Sequence, residues 1–169
     1  EPDVIASKEI TEQILTNNET SRDDPYLPLD SFSSFLADAS TSSYLAVLAY
    51  FPPEPALYDI LDAFAKEVRD SFKLPVVINT GPRYLHSTGQ LHKGGPPTGI
   101  FLFVRVSPRQ ELDIFREDYS FADLNQAQAF GDSVVLKNRD CPVFSIEIPE
   151  LSDLWIRRFR DVLREILLP

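Results

Sequence analysis

YLAVLAYF, residues 44–51, is a continuous apolar run of strand length in which polar positions do not alternate with apolar ones. A strand reads this way when both of its faces are covered, as in a parallel sheet with helices on either side. Working outward, Pro55 stands where a first helical turn tolerates a residue without an N–H, and Leu57, Ile60, Leu61, Phe64 and Val68 follow at helical spacing to about residue 72. PVVINT (75–80) and TGIFLFVRV (98–106) read as a second and a third strand. Ser120 predicts the cap of a helix that opens FADLNQAQAF, with Gly131 either ending it or marking a second short one. PVFSIEI (142–148) is a fourth strand, and Leu151, Leu154, Trp155, Phe159, Val162, Leu163 and Ile166 predict the apolar face of a last helix. Strands alternating with helices predict a three-layer α/β fold, a mostly parallel sheet flanked by helices.

Upstream of residue 44 the pattern is different. Residues 16–31, TNNETSRDDPYLPLDS, are polar, acidic and proline-punctuated, and predict a linker after a short helix at about 6–16. DSFSSFLADA, 30–39, predicts a helical turn or two that lay Phe32, Phe35 and Leu36 on the body. The expected organisation is a helical arm with an acidic linker over residues 1–40 and an α/β body over 41–169.

Composition excludes several classes of function. The chain has 169 residues, 43% hydrophobic and 25% charged, an ordinary globular balance for one domain. A net charge of −10 argues against a general binder of nucleic acid or of membrane surfaces, since both need a positive face. Cys141 is the only cysteine and His86 and His92 the only histidines, so no internal disulfide and no structural zinc site is expected, and a reducing, cytoplasmic setting is permitted. Nothing approaches the roughly 20 apolar residues that cross a bilayer. The chain contains no methionine, even at position 1, which predicts a piece of a longer protein.

GPRYLHSTGQLHKGGPPTG, residues 81–99, holds five of the six glycines and both histidines, yet no carboxylate. It leaves the carboxyl end of the strand PVVINT, where ligands bind in open parallel sheets. Residues 71–110 contain no Asp or Glu, while Lys73, Arg83, Lys93, Arg105 and Arg109 all fall there. Such an electropositive island favours an anion, and a helix starting near His86 or Ser87 would add free N–H groups. The glycines predict turns with positive φ or close approach of a ligand, and Ser87, Thr88, Gln90, His86 and His92 supply groups suited to hydroxyls. Sugar phosphate fits better than nucleotide, since neither GxGxxG nor GxxxxGK[ST] is present. The plainer alternative makes the glycines turn formers, the histidines packing or surface residues, and Arg83 and Lys93 solvated charges.

The string GPRYLHSTGQLHKGGPPTGIFLFV closely resembles the glucose-6-phosphate isomerase domain of bifunctional transaldolase/glucose-6-phosphate isomerase proteins. YLAVLAYFPPEPAL and YSFADLNQAQAFGDSVVL are similar to further segments of that domain, so the resemblance covers about residues 44–148. It implies a sugar isomerase (SIS), flavodoxin-like fold, of which this chain would be the second of two subdomains. It also implies interconversion of glucose 6-phosphate and fructose 6-phosphate through a cis-enediolate, without metal or organic cofactor. His86, His92 and Lys93 would then be the catalytic residues, and Arg83, Ser87, Thr88, Gln90, Gly94 and Gly95 the substrate contacts. The implied partners are the sugar phosphate, the missing first subdomain and a second copy in a homodimer. The family's usual proton-abstracting glutamate has no counterpart in residues 81–99; Glu111, Glu117 and Asp118 are the nearest carboxylates, and Pro97 replaces an expected Asn. The base would therefore lie on the first subdomain, or a histidine would stand in for it. A non-catalytic sugar-phosphate-binding, regulatory or dimerisation domain is the alternative.

Overall fold

β1 (Tyr44–Tyr50) occupies an interior position of a four-stranded, all-parallel sheet of order β2–β1–β3–β4, where β2 is Val76–Thr80, β3 Gly99–Val106 and β4 Val143–Ile148. In this computed structural model, residues 2–17, 25–107 and 112–168 are described, apart from the side chains of Pro2, Asp3, Asn17, Leu85 and His86. Leu48 of β1 faces Asn79 of β2 on one side and Phe103 of β3 on the other. Interior strands explain the unbroken apolar runs: no residue from Leu45 to Ala49 is exposed at all.

Alternation of side chains divides these strands between two cores. Leu45, Val47 and Ala49, with Ile100, Leu102 and Val104, meet α3 (Pro55–Phe72), α6 (Asp153–Glu165) and the short α2 (Phe32–Ala37). Ala46, Leu48, Tyr50, Phe101 and Phe103 point the other way, toward Ala129 and Leu136 of α5 (Phe121–Lys137) and toward Tyr84. The short α4 (Gly89–Gly94) and α5 cover this second face. The result is the expected three-layer α/β fold.

Local chemistry sets the helix ends. Pro55 fills the first position of α3, and Lys73 closes it in the left-handed conformation at φ 56°. Ser120 and Asp123 form a reciprocal capping box at the start of α5, with Ser120 N donating to Asp123 Oδ2 at 2.8 Å and Asp123 N to Ser120 Oγ at 3.2 Å. Leu154, expected on the buried face of α6, is instead 49% exposed. Just before α5, residues 112–120 form a loop closed by an antiparallel bridge between Asp113 and Ser120 and by Phe121 N on Leu112 O at 2.9 Å. Its Phe115 side chain is 84% exposed, with the Arg116 guanidinium 5.1 Å over the ring.

Phe32 and Leu36 of α2 lie in the main core, where the sequence placed them, and Leu27 N donates to Val143 O at 2.7 Å; residues 18–24 of the expected linker lie outside the described residues. One expectation is corrected. Gly131 neither ends α5 nor splits it. α1 (Pro2–Asn17) crosses α5 there, and a Cβ on Gly131 would stand 2.8 Å from both Ser7 O and Thr11 Oγ1. The glycine is an approach site for α1, which packs outside α5 and α4. Among the described residues no helix is long and apolar enough to cross a membrane.

The contact at Gly131 reverses the usual sign of a helix substitution. Glycine to alanine inside an exposed helix stabilises by up to ~1 kcal/mol. With α1 seated on it, Gly131→Ala is expected to cost about 1–3 kcal/mol, or to release α1, by overpacking. Chemical denaturation with amide exchange of α1 checks this; a more stable variant with unchanged exchange would sink the α1 contact.

Candidate functional site at the carboxyl edge of the sheet

β2 lies on one side of β1 and β3 on the other, so the loops leaving β1 and β3 part company at the carboxyl edge. Such a switch point is where parallel α/β sheets leave a crevice. Here it is a groove of about 370 Å³ whose walls include Tyr50, Thr80, Arg83, Arg105 and Asn125. Arg83 is exposed. Arg105 is held on the groove floor, its Nε donating to Ser145 Oγ at 3.1 Å, Nη2 reaching Glu147 Oε2 at 3.4 Å and the guanidinium 5.3 Å over the Tyr26 ring. The Asn125 Oδ1 atom is buried there without a hydrogen-bond partner. Pro82 also lines a second, larger cavity of about 710 Å³, bounded by α1, Ser87, Glu117, Tyr119 and Gln128.

Beneath these two spaces lies a buried polar cluster. The Asp132 carboxylate of α5 is fully buried and accepts from four donors: Lys93 Nζ and Ser7 Oγ on Oδ1, and the Tyr50 and Tyr84 hydroxyls on Oδ2, each at 2.5 Å. Lys93 is equally buried and forms an ion pair with Asp132. Burial, with the neighbouring carboxylate behind it, holds the Tyr50 and Tyr84 hydroxyls well above the ordinary phenol range, so both stay protonated donors. Gly81 belongs to the same packing, because a Cβ there would lie 2.5 Å from the Tyr50 ring.

His92 sits one position before that lysine, 3% exposed. Thr88 Oγ1 donates to Asn79 Oδ1 at 3.3 Å, which turns the Asn79 amide nitrogen toward His92 Nε2 at 3.0 Å. With Nε2 accepting, the neutral ring carries its proton on Nδ1, directed at Tyr44 Oη 2.8 Å away. Burial first, and then the Lys93 charge, push the His92 pKa down to about 4.

The predicted site residues therefore separate. Arg83 and Ser87 reach the two open spaces; Thr88 serves Asn79; Gln90 Oε1 is buried with no hydrogen-bond partner. His92 and Lys93 face inward, so Lys93 is not a free charge at a cleft wall and His92 is not an open acid or base. Gly94 ends α4 and Gly95 caps it, with Gly95 O accepting from Arg139 Nη2 at 3.0 Å. The His86 side chain, Arg109 and Glu111 lie outside the described residues. No helix starts at His86 or Ser87: a 3-10 turn spans Arg83–His86, and α4 begins at Gly89. None of the described glycines takes positive φ. The electropositive island is reduced likewise, because Lys73 stands before β2 at the opposite edge, its Nζ on Asp70 O at 2.6 Å. Arg83 and Arg105 remain at the groove.

Asp132 is the residue sequence reasoning missed. Its signal was a Gly-Asp pair at mid-helix, between AQAF and the apolar run VVL, where a buried carboxylate needs a partner. Tyr50, Tyr84 and Ser7 carried no such mark. Cys141 is buried and its thiol is pushed up by that burial, as expected for a packing thiol.

Two measurements probe the cluster. Since His92 is depressed from 6.5 to about 4, the unfolded chain takes up the proton first, and stability present above pH 6.5 is lost as pH falls toward 4. About 2 kcal/mol of the loss between pH 7 and pH 5 is expected to vanish in His92→Gln, and equal pH profiles in urea unfolding would refute it. Lys93→Ala leaves the Asp132 carboxylate buried without its counter-charge and is expected to destabilise by roughly 3–5 kcal/mol; a neutral result would contradict the buried pairing.

No family model matches the chain, and no curated protein matches it. Among solved structures it is similar to the crystal structure of a hypothetical protein, TT0462, from Thermus thermophilus, with a TM-score of 0.64 at 16% sequence identity. The match covers 98% of this chain and 44% of that one, so this chain spans less than half of its length. That likeness is one of fold.

Proposed function

We propose that this chain is the second subdomain of an aldose–ketose isomerase that interconverts glucose 6-phosphate and fructose 6-phosphate, as part of a longer, transaldolase-fused protein in a reducing cytoplasm. One observation carries the reading. The stretch that resembles the isomerase family, residues 81–99, departs from β2 at the switch-point crevice and brings the exposed Arg83 to a groove that Asn125 and the Arg105–Glu147 pair also line. With Arg105 matched by Glu147, the Arg83 guanidinium is, among the described residues, the unmatched charge at this concave edge, and it suits a phosphate or a developing enediolate oxygen. The groove is one-sided, and the resemblance implies that a first subdomain, or a second copy of the chain, closes it. Closure by such a partner would exclude water and orient the sugar for proton transfer between C2 and C1.

A specific observation supports the second reading, a sugar-phosphate-binding domain without turnover. His92 and Lys93, two of the three residues the resemblance makes catalytic, are committed to interior contacts. On that reading the groove binds and the chemistry is absent. His86 decides between them. In the paired protein, isomerisation of fructose 6-phosphate is expected, with His86→Ala lowering kcat by about a hundredfold or more, as loss of a general acid or base does. Arg83→Ala is expected to weaken fructose 6-phosphate by about tenfold, the scale of one charge-assisted hydrogen bond. Unchanged kinetics in both variants would reject the isomerase site, and saturable binding with no turnover would establish the binding domain.

A further inference from the structure

The larger of the two cavities is built as much by α1 as by the body. α1 supplies Lys8, Thr11 and Glu12 to one wall, and the body supplies Ser87, Tyr119 and Gln128 to the other. At about 710 Å³ it falls in the range of small-molecule sites. Its chemistry differs from that of the neighbouring groove: Lys8 is matched by Glu12, Glu117 adds a negative charge, and the Asp132 beneath is matched by Lys93. Without an excess of cations it does not suit an anion. Hydroxyl and amide groups on facing walls suit a neutral ligand carrying several hydroxyls.

α1 is held in a way that lets it respond to such a ligand. Its inner face is small and polar: Thr11 Oγ1 reaches Ala127 O at 3.4 Å, Gly131 leaves no gap, and Ser7 Oγ ties the helix to the Asp132–Lys93 pair. Its apolar residues are not sunk into a core, Ile5 being 54% exposed and Val4, Ile10, Ile14 and Leu15 only half-buried. A helix tied by a hydroxyl to a buried carboxylate, with its partly buried aliphatic residues outside both cores, separates at lower cost than the core helices do.

We propose that α1 is a strap over a binding cavity for the hydroxylated carbon chain of a sugar, and that cavity occupancy and strap docking form one equilibrium. The ligand class, a sugar, rests on the sugar-phosphate reading above; the cavity is a second site, separate from the Arg83 groove on the far side of Pro82. A ligand touching both walls binds the docked form alone, so it must hold α1 down.

Hydrogen exchange of the α1 amides in this chain, with fructose 6-phosphate and with phosphate-free fructose as probes, tests the strap. At a ligand concentration a hundred times Kd, opening of α1 is expected to slow about a hundredfold. Ser7→Ala removes the tie while leaving Asp132 three donors; it should speed α1 exchange and weaken both sugars in proportion to the docked fraction lost. Gly131→Leu should act in the same direction by displacing the helix. Fructose 6-phosphate that binds through Arg83 without protecting α1 overturns the strap and leaves the isomerase reading standing. α1 protection with no turnover in the paired protein overturns the isomerase reading and leaves the strap standing. Absence of binding by both sugars overturns the strap.

Discussion

The buried carboxylate of Asp132 is the constraint on which this side of the molecule depends. A bare carboxylate in that position would cost several kcal/mol of lost hydration. It is tolerable because Ser7, Tyr50, Tyr84 and Lys93 bring donors to it from α1, β1, the turn after β2 and α4. Each donor must arrive in register, so one side chain on α5 sets the seat of α1, the path of residues 81–88 and the rotation of α4. Such an arrangement is a positional constraint more than a source of net stability, since a matched ion pair in the interior roughly offsets its own desolvation.

That constraint divides residues 81–99 between two tasks. Side chains of one short segment look inward, to Asp132 and to the Tyr44–His92–Asn79 chain of hydrogen bonds, and outward, to the groove and the cavity. The inward set ties the loop to the body without any described glycine at positive φ. The outward set, Arg83 and Ser87, faces the groove and the cavity respectively, with Pro82 lining both. A charged wall and a hydroxyl-bearing wall consequently stand back to back across one turn of chain.

Much of the fold was legible in the sequence because its signals are local. The apolar runs of β1 and β3 report burial on both faces, the helical spacing of Leu57, Ile60, Leu61, Phe64 and Val68 reports α3, and Ser120 reports the start of α5. What was not legible depends on contacts between distant residues. α4 is six residues long, too short for a pattern to tell which side of it faces inward, so His92 and Lys93 read as ligand groups when they are interior ones. Gly131 looked like a helix end because the neighbour that requires it, α1, lies more than a hundred residues away in sequence. α1 itself docks through Ser7 and Thr11, residue types that give no apolar periodicity.

The loop over residues 112–120 has its two ends fastened together, by the Asp113–Ser120 bridge and by Phe121 N on Leu112 O, before the capping box of α5 begins. What happens within it is therefore decoupled from the helix it precedes. Residues can be added or exchanged around Phe115 without moving Ser120, and so without disturbing the angle at which α5 carries Asp132 into the interior. The exposed tip of this loop at Phe115 is in this sense free to diverge, while the buried cluster behind it must be inherited whole.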